Sequence, residues 1–137
     1  FLELGIQPDQ LEKFGVKGRV LFIGDVAEEE LPVLYSMAQV FVFPSLFEGF
    51  GLPPLEAFAC GVPVVSSNAT SLPEVVGDAG IMVDPTDTGA IAGAIDRVLG
   101  SETLRSEMRE KGIKRAAQFS WRACAEKTLK VYKEALE

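Results

Sequence analysis

The sequence predicts an α/β domain, a doubly wound parallel sheet with a helical C-terminal tail. Two observations support this: short β-rich apolar runs alternate with helical patterns up to residue 100, and only helical patterns follow. The chain has 137 residues, which suits one compact domain. We therefore expect a single domain over 1–137, divided into a lead-in loop and helix (1–18), an αβ core (19–100) and C-terminal helices (101–137).

Four apolar runs are expected to form the strands, because each ends at Gly, Pro or polar turn residues. The first two are almost continuously apolar, which is typical of strands that are buried on both faces of a parallel sheet. The four runs are Arg19–Ile23, Val40–Phe43, Val62–Val65 and Gly80–Val83.

Helices are predicted between and around these strands. The run that follows Glu28 has apolar side chains at helical spacing, and a short helix over Pro53–Ala59 tolerates its prolines in the first turn. A third helix begins after Asp87 and ends at Gly100, and a lead-in helix spans Pro8–Phe14. Alternation at this spacing implies right-handed crossovers between parallel strands.

The tail carries one long apolar stripe after Ser120, a residue type that commonly caps helices. We expect the stripe to pack on the sheet, with Trp121 in the core; docking onto a second domain or a partner is the alternative. Cys60 and Cys124 are expected to be buried, reduced thiols. The stripe comprises Trp121, Cys124, Ala125, Thr128, Leu129, Tyr132 and Leu136.

Composition excludes several classes of function. The chain has no His, so it cannot perform Ser-His-Asp or Cys-His catalysis. Its net charge of −7 gives no global attraction for nucleic acid or anionic membranes, so any anion must be held locally. No apolar run is long enough for a transmembrane segment, and the start at Phe1 does not resemble a signal peptide. We expect a cytoplasmic protein.

The segment after the second run carries the candidate chemistry. Ligands of open α/β sheets bind beyond the carboxyl ends of the strands, where this segment lies. Gly49 and Gly51 allow the backbone to approach a ligand closely, and the helix that follows offers N–H groups to phosphate. Glu48 and Glu56, with seven residues between them, suit recognition of sugar hydroxyls. The alternative is a solvated loop acid and an acid near a helix N-terminus.

The run Phe47–Val65 (FEGFGLPPLEAFACGVPVV) resembles the donor-site signature of retaining, nucleotide-sugar-dependent glycosyltransferases of group 1, the glycogen-synthase and mannosyltransferase kind. Glu48 and Glu56 match the spaced pair of glutamates of that signature. The resemblance continues through Leu72–Gly80 and Asp84–Asp87, and then through Arg115–Ala116 and Phe119–Trp121.

The resemblance implies the Rossmann-like, C-terminal, donor-binding half of a two-Rossmann (GT-B) enzyme that moves a hexose, mannose or glucose, to a glycan or lipid-linked acceptor. Glu48 would be catalytic, beside the donor sugar. Glu56 would bind the ribose. The family needs no metal ion and no cofactor besides its nucleotide-diphosphate-sugar substrate. The remaining donor-binding residues would be Gly49, Phe50, Gly51 and Leu52, whose loop holds sugar and phosphate, Ser45, and Gly24 beside the nucleobase.

Two parts of such an enzyme have no counterpart in the chain. The resemblance implies an Arg and a Lys upstream of Phe1 for the diphosphate, and an N-terminal acceptor-binding domain. We expect the domain to be N-terminally incomplete and inactive alone; the missing domain would supply any attachment at the cytoplasmic face of a membrane. The alternative function is a non-catalytic nucleotide or nucleotide-sugar binding module.

Overall fold

The computed structural model describes residues 8–136, so the predictions for the first seven residues lie outside it. Its sheet has three parallel strands in the order β1 (Phe41–Phe43), β2 (Val64–Ser67) and β3 (Ile81–Val83). Phe41 lies opposite Val64, and Val65 lies opposite Ile81. The chain therefore reaches each successive strand through a helical crossover, and the predicted α/β class with an open parallel sheet is confirmed.

The described residues form seven α-helices. Three begin at a side-chain cap: Asp87, Ser101 and Ser120 each accept a hydrogen bond from the backbone N–H three residues later. The seven helices are α1 (Pro8–Lys13), α2 (Leu31–Met37), α3 (Leu52–Ala59), α4 (Leu72–Val76, followed by a 3₁₀ turn over Gly77–Ala79), α5 (Thr88–Leu99), α6 (Glu102–Ala116) and α7 (Trp121–Glu134). The predicted helices are confirmed to within a few residues, and α4 with its 3₁₀ turn is an additional helix that was not predicted.

Both faces of the sheet are covered. On one face Val64 packs with Phe58 of α3 and with α4; on the other Val65 packs with Val98 of α5 and with α6. Helix α6 reaches Phe58 closely because Gly112 has no side chain: a Cβ there would lie 2.5 Å from Phe58 Cδ1. The core is thus centred on β2 and its flanking helices.

The first predicted strand, Arg19–Ile23, is not formed. The segment is irregular, and Leu21 and Phe22 are 83% and 58% exposed. Within the described chain, β1 pairs only with β2, and no helix covers this run, so its apolar side chains have nothing to pack against. An extended segment without a paired neighbour and a covering layer gains too little burial to be held as a strand.

The third predicted strand is confirmed with a shift of two residues. Pro63 has no N–H for a ladder bond, and its carbonyl accepts from the N–H of Phe41 at 2.8 Å. Strand β2 therefore begins at Val64. The second run forms β1, which is half-buried rather than fully buried, because β1 is an edge strand.

The tail helix does not pack on the sheet as predicted. Helix α7 has no buried residue, and Trp121, expected in the core, is 80% exposed. Cys124 is exposed and Cys60 is half-buried, so the prediction of two buried thiols is wrong for Cys124. The physical reason is that no element among residues 8–136 covers the stripe. None of the described helices has the length and apolar character that crossing a membrane requires.

Candidate functional site

The carboxyl edge of the sheet brings three connections together. Strands β1, β2 and β3 are parallel, so residues 44–51, 68–71 and 84–87 all follow strand ends at the same edge. In open parallel sheets this is the edge at which ligands bind. The first of these connections, called the glycine loop (residues 44–51) below, contains Glu48 and leads into α3, which carries Glu56.

The glycine loop is held by hydroxyl groups. The N–H of Glu48 donates to Thr70 Oγ1 at 3.1 Å, and Ser71 Oγ lies 3.1 Å from the carbonyl oxygen of Glu48 and 2.8 Å from that of Phe50. Ser45 Oγ donates to the carbonyl of Phe47 at 3.2 Å. The predicted site residues Ser45, Glu48 and Phe50 are therefore parts of one ordered turn.

The two glycines have different roles. Gly51 is buried at φ 111°, and a Cβ there would lie 2.7 Å from Leu72 Cδ2. The lack of a side chain at Gly51 is therefore needed for packing against α4. Gly49 has open space around its Cβ position, so a close approach of a ligand to the loop is available there.

The N-terminus of α3 offers fewer donors than its position suggests. Of its first three residues, Pro53 and Pro54 carry no N–H, so Leu52 is the one with a donor to offer. Leu52 and Phe50 are both partly exposed, and the Phe50 ring meets that of Phe119 edge-on at 6.0 Å. Phe119 belongs to the connection between α6 and α7, which gives the Phe119–Trp121 motif a contact with this loop.

Glu56 lies in an open groove of about 410 Å³ between α2 and α3, a size suited to part of a small-molecule ligand. Tyr35 donates its hydroxyl to Glu56 Oε2 at 3.1 Å. Burial, followed by this hydrogen bond, raises the pKa of Tyr35 to about 12. The groove is lined by Glu28, Leu31, Pro32, Tyr35, Glu56, Ala59 and Cys60.

Tyr35 was missed as a site residue by the sequence reasoning, which placed it only on the apolar face of its helix. A tyrosine at such a position often has a partner for its hydroxyl, and that was the available signal. Ser66 of β2 is fully buried. Its hydroxyl has no hydrogen-bond partner among the described atoms.

Gly24 follows the irregular segment described above instead of a strand, at φ 64° with open space around it. The strand that was expected to carry it to the carboxyl edge is absent. Its expected place beside a nucleobase depended on that strand.

A second groove of about 240 Å³ lies at the opposite, amino edge of the sheet, beside Gln39 and Pro63. Its two arginines are engaged: Arg105 donates to the carbonyls of Val98 and Leu99 at the end of α5, and Arg109 donates to that of Gly61. This groove therefore lies on a structural junction, and neither Glu48 nor Glu56 lines it.

Comparison with known proteins agrees with the geometry. A family model described as "Glycosyl transferases group 1" matches residues 8–115. The O-antigen chain mannosyltransferase B of Escherichia coli is 50% identical over 125 residues, which are 90% of this chain and 33% of that protein. The chain thus spans about a third of the length of this relative.

Two solved structures are similar in fold and sequence. The sucrose-phosphate synthase of Thermosynechococcus elongatus has a TM-score of 0.83 at 34% identity, covering 93% of this chain and 33% of its own. The C-terminal domain of a glycosyl transferase group 1 family protein (LpcC) from Francisella tularensis has a TM-score of 0.72 at 30% identity, covering 80% of this chain and 58% of its own. On the evidence of the fold, of the glycine loop with Glu48 followed by α3 with Glu56, and of the family match, the chain belongs to the group 1 glycosyltransferases.

Proposed function

We propose that the chain is the donor-binding half of a retaining glycosyltransferase that moves a hexose from a nucleotide-diphosphate sugar to a glycan or lipid-linked acceptor. The observation that carries the proposal is the position of Glu56. Its carboxylate lies in a groove between α2 and α3, on the helix that the glycine loop leads into. The mannosyltransferase relative in Escherichia coli favours mannose as the sugar, with glucose as the other candidate.

Glu56 is assigned to the ribose hydroxyls of the donor. Tyr35 occupies one lone pair of Oε2, and an ionised carboxylate has several acceptor positions left for the two adjacent hydroxyls of a ribose. The remaining groove wall is largely apolar, which suits the less polar faces of a nucleoside. This assignment gives the nucleotide its place between α2 and α3.

Glu48 is assigned to the reaction centre, beside the donor sugar and its phosphate. Backbone N–H groups of Gly49, Phe50 and Leu52 are the candidates for holding sugar hydroxyls or phosphate oxygens without a basic side chain. In the proposed step, the acceptor oxygen bonds to the anomeric carbon as its bond to the diphosphate breaks. The acceptor proton passes to the diphosphate, so neither a metal ion nor a cofactor is required.

The partner in this proposal is an acceptor-binding domain. Transfer needs an acceptor oxygen held close to the anomeric carbon and shielded from water, and one Rossmann-like half provides one wall of such a cleft. The exposed stripe of α7 and the exposed run Val20–Ile23 are apolar surfaces for that domain to cover. We propose a cytoplasmic enzyme whose residues 1–137 transfer no sugar alone.

A non-catalytic nucleotide-sugar binding module is the second candidate. Such a module needs Glu56 and the glycine loop but makes no demand on Glu48. The ordered backbone around Glu48, with hydrogen bonds on both its N–H and its carbonyl, favours the enzyme. The two candidates therefore differ in what the loss of the Glu48 charge does.

The test compares Glu56→Gln with Glu48→Gln in a protein that joins this domain to an acceptor-binding half. Glu56→Gln should weaken binding of the bare nucleoside diphosphate by about 1–2 kcal/mol, measured by calorimetry. Glu48→Gln should leave that affinity nearly intact and lower sugar turnover. Loss of nucleotide binding in Glu48→Gln, with normal turnover per bound donor, would reverse the two assignments. Unchanged turnover in Glu48→Gln would favour the binding module.

The second test is a transfer assay on residues 1–137 alone with several nucleotide-sugar donors, run beside the same chain supplemented with an acceptor-binding half. We expect product in the second tube and none in the first. Turnover by the chain alone would contradict the assignment of this chain as a half-enzyme.

A further inference from the structure

The backbone of the glycine loop depends on hydroxyl side chains for its order. Across residues 45–50, every hydrogen bond that the structure describes to the main chain involves Ser45, Thr70 or Ser71. Thr70 and Ser71 both lie in the β2–α4 connection, 22 and 23 residues from Glu48 in sequence. They reach the loop from the neighbouring strand end.

These two hydroxyls bracket Glu48. Thr70 accepts from the N–H of Glu48, and Ser71 donates toward its carbonyl oxygen, so the peptide groups on both sides of its Cα are held. With the backbone fixed on both sides, the staggered rotamers leave the carboxylate few directions. Thr70 and Ser71 thereby fix the position and direction of the Glu48 Cα–Cβ bond.

Both residues depart from their usual local preferences. Thr70 is the one non-glycine residue of the described chain at positive φ, 52°, a conformation disfavoured for a β-branched side chain. Ser71 precedes α4 and is followed three residues later by Glu74, the sequence pattern of a capping box. Its hydroxyl nevertheless makes no cap hydrogen bond and is directed to the glycine loop. Neither departure improves α4, and both serve the loop.

We propose that Thr70 and Ser71 are positioning residues for Glu48, acting on the donor sugar through the loop and not by touching the donor. The proposal rests on the proposed function, in which Glu48 lies beside that sugar. It predicts that loss of the Thr70 and Ser71 hydrogen bonds to Glu48 weakens recognition of the sugar end of the donor, while the nucleotide end, held by Glu56, remains bound. If these hydrogen bonds served folding alone, their loss would affect both ends of the donor equally.

The decisive variant is Thr70→Gly, because glycine adopts positive φ without strain while the hydroxyl is lost. We expect a Tm equal to or above that of the unmodified chain. Titration of the isotope-labelled 137-residue chain with GDP-mannose and UDP-glucose, followed by NMR, should show affinity about three- to tenfold weaker than for the unmodified chain. Affinity for GDP and UDP should change less, by about twofold or below.

Two further variants complete the set. Thr70→Ser keeps the hydroxyl and should restore nucleotide-sugar affinity. Ser101→Ala is the matched control: it removes a hydroxyl bond to the N–H of Leu104 at the start of α6, next to the amino-edge groove. It should lower Tm through the lost cap and leave all four affinities unchanged.

The outcomes distinguish a failure of the proposed function from a failure of the inference about Thr70 and Ser71. An unmodified chain that binds none of the four ligands contradicts the proposed function, and the inference falls with it. An unmodified chain that binds, beside a Thr70→Gly variant with equal nucleotide-sugar affinity, overturns the inference alone. The inference is also overturned if the Thr70→Gly variant loses affinity for all four ligands equally or fails to fold. The Thr70 hydroxyl would then serve the stability of the fold and not the position of Glu48.

Discussion

The run Val62–Val65, which leads into β2, and the run Val20–Ile23 are both short and apolar, yet they lie in opposite environments. Val64 and Val65 of β2 are 0% and 1% exposed, whereas Leu21 and Phe22 are 83% and 58% exposed. Strand β2 has a paired strand on each side and helices on both faces. An apolar run therefore predicts that a segment needs burial, while the elements that provide the burial decide whether it forms a strand.

The largest expected effect comes from one phenylalanine on each side of this comparison. Phe58 of α3 is fully buried against α6 and the sheet, so Phe58→Ala should cost about 3–5 kcal/mol of unfolding free energy. Phe22→Ala, in the exposed run, should change it by about 0.5 kcal/mol or less. Urea unfolding of both variants gives the two values. Similar losses would show that the Val20–Ile23 run is packed in solution.

The two glycines of the glycine loop give the next largest contrast. Gly51→Ala places a Cβ against Leu72 at a positive φ and should destabilise the fold by about 1–3 kcal/mol. Gly49→Ala meets open space and should leave stability within about 0.5 kcal/mol. Thermal unfolding distinguishes them. An equal and small effect at both positions would argue against the tight packing of Gly51 on α4.

Tyr35 is half-buried, between the extremes of β2 and the Val20–Ile23 run, and its burial can be tested by the pH dependence of stability. Its pKa is raised from 10.0 to about 12 by burial and by the hydrogen bond to Glu56. The stabilisation by the neutral phenol is fully present below pH 10 and is lost as the pH rises towards about 12. Unfolding free energy measured across this range should fall more steeply for the unmodified chain than for Tyr35→Phe. Parallel curves would contradict the contact with Glu56.

The smallest effect is expected in α7. Trp121 is 80% exposed, so Trp121→Ala should change the unfolding free energy of the 137-residue chain by about 0.5 kcal/mol or less. Chemical denaturation with far-ultraviolet circular dichroism measures it. A loss of several kcal/mol would place Trp121 in a core, as its helical pattern first suggested.

Much of the fold followed from sequence because its signals are local. The apolar spacing within α5, and the residues Asp87 and Ser120 that precede α5 and α7, gave helix positions directly. The predictions failed where the answer depended on a neighbour, at Arg19–Ile23 and along α7. The local sequence of those two segments does not show whether another element packs on them.

The site was partly predictable for the same reason. The glycine loop could be predicted as a binding segment from Gly49, Gly51 and the spacing of Glu48 and Glu56. The contact of Tyr35 with Glu56 spans 21 residues, and the reach of Thr70 to Glu48 spans 22. The first pair depends on how α2 packs against α3, and the second on which strand ends lie side by side; no local pattern encodes either.

The most direct test of the central claim is to map where a nucleotide binds. The isotope-labelled 137-residue chain is titrated with GDP and with UDP while every resolved backbone amide is followed by NMR. The account predicts weak binding, of about millimolar order since a helix N-terminus contributes only about 0.3–1 kcal/mol, with the largest shifts at Gly49, Leu52 and Ala59. Shifts centred on Gln39 and Arg105 at the amino edge, or no shifts with either nucleotide, would contradict it.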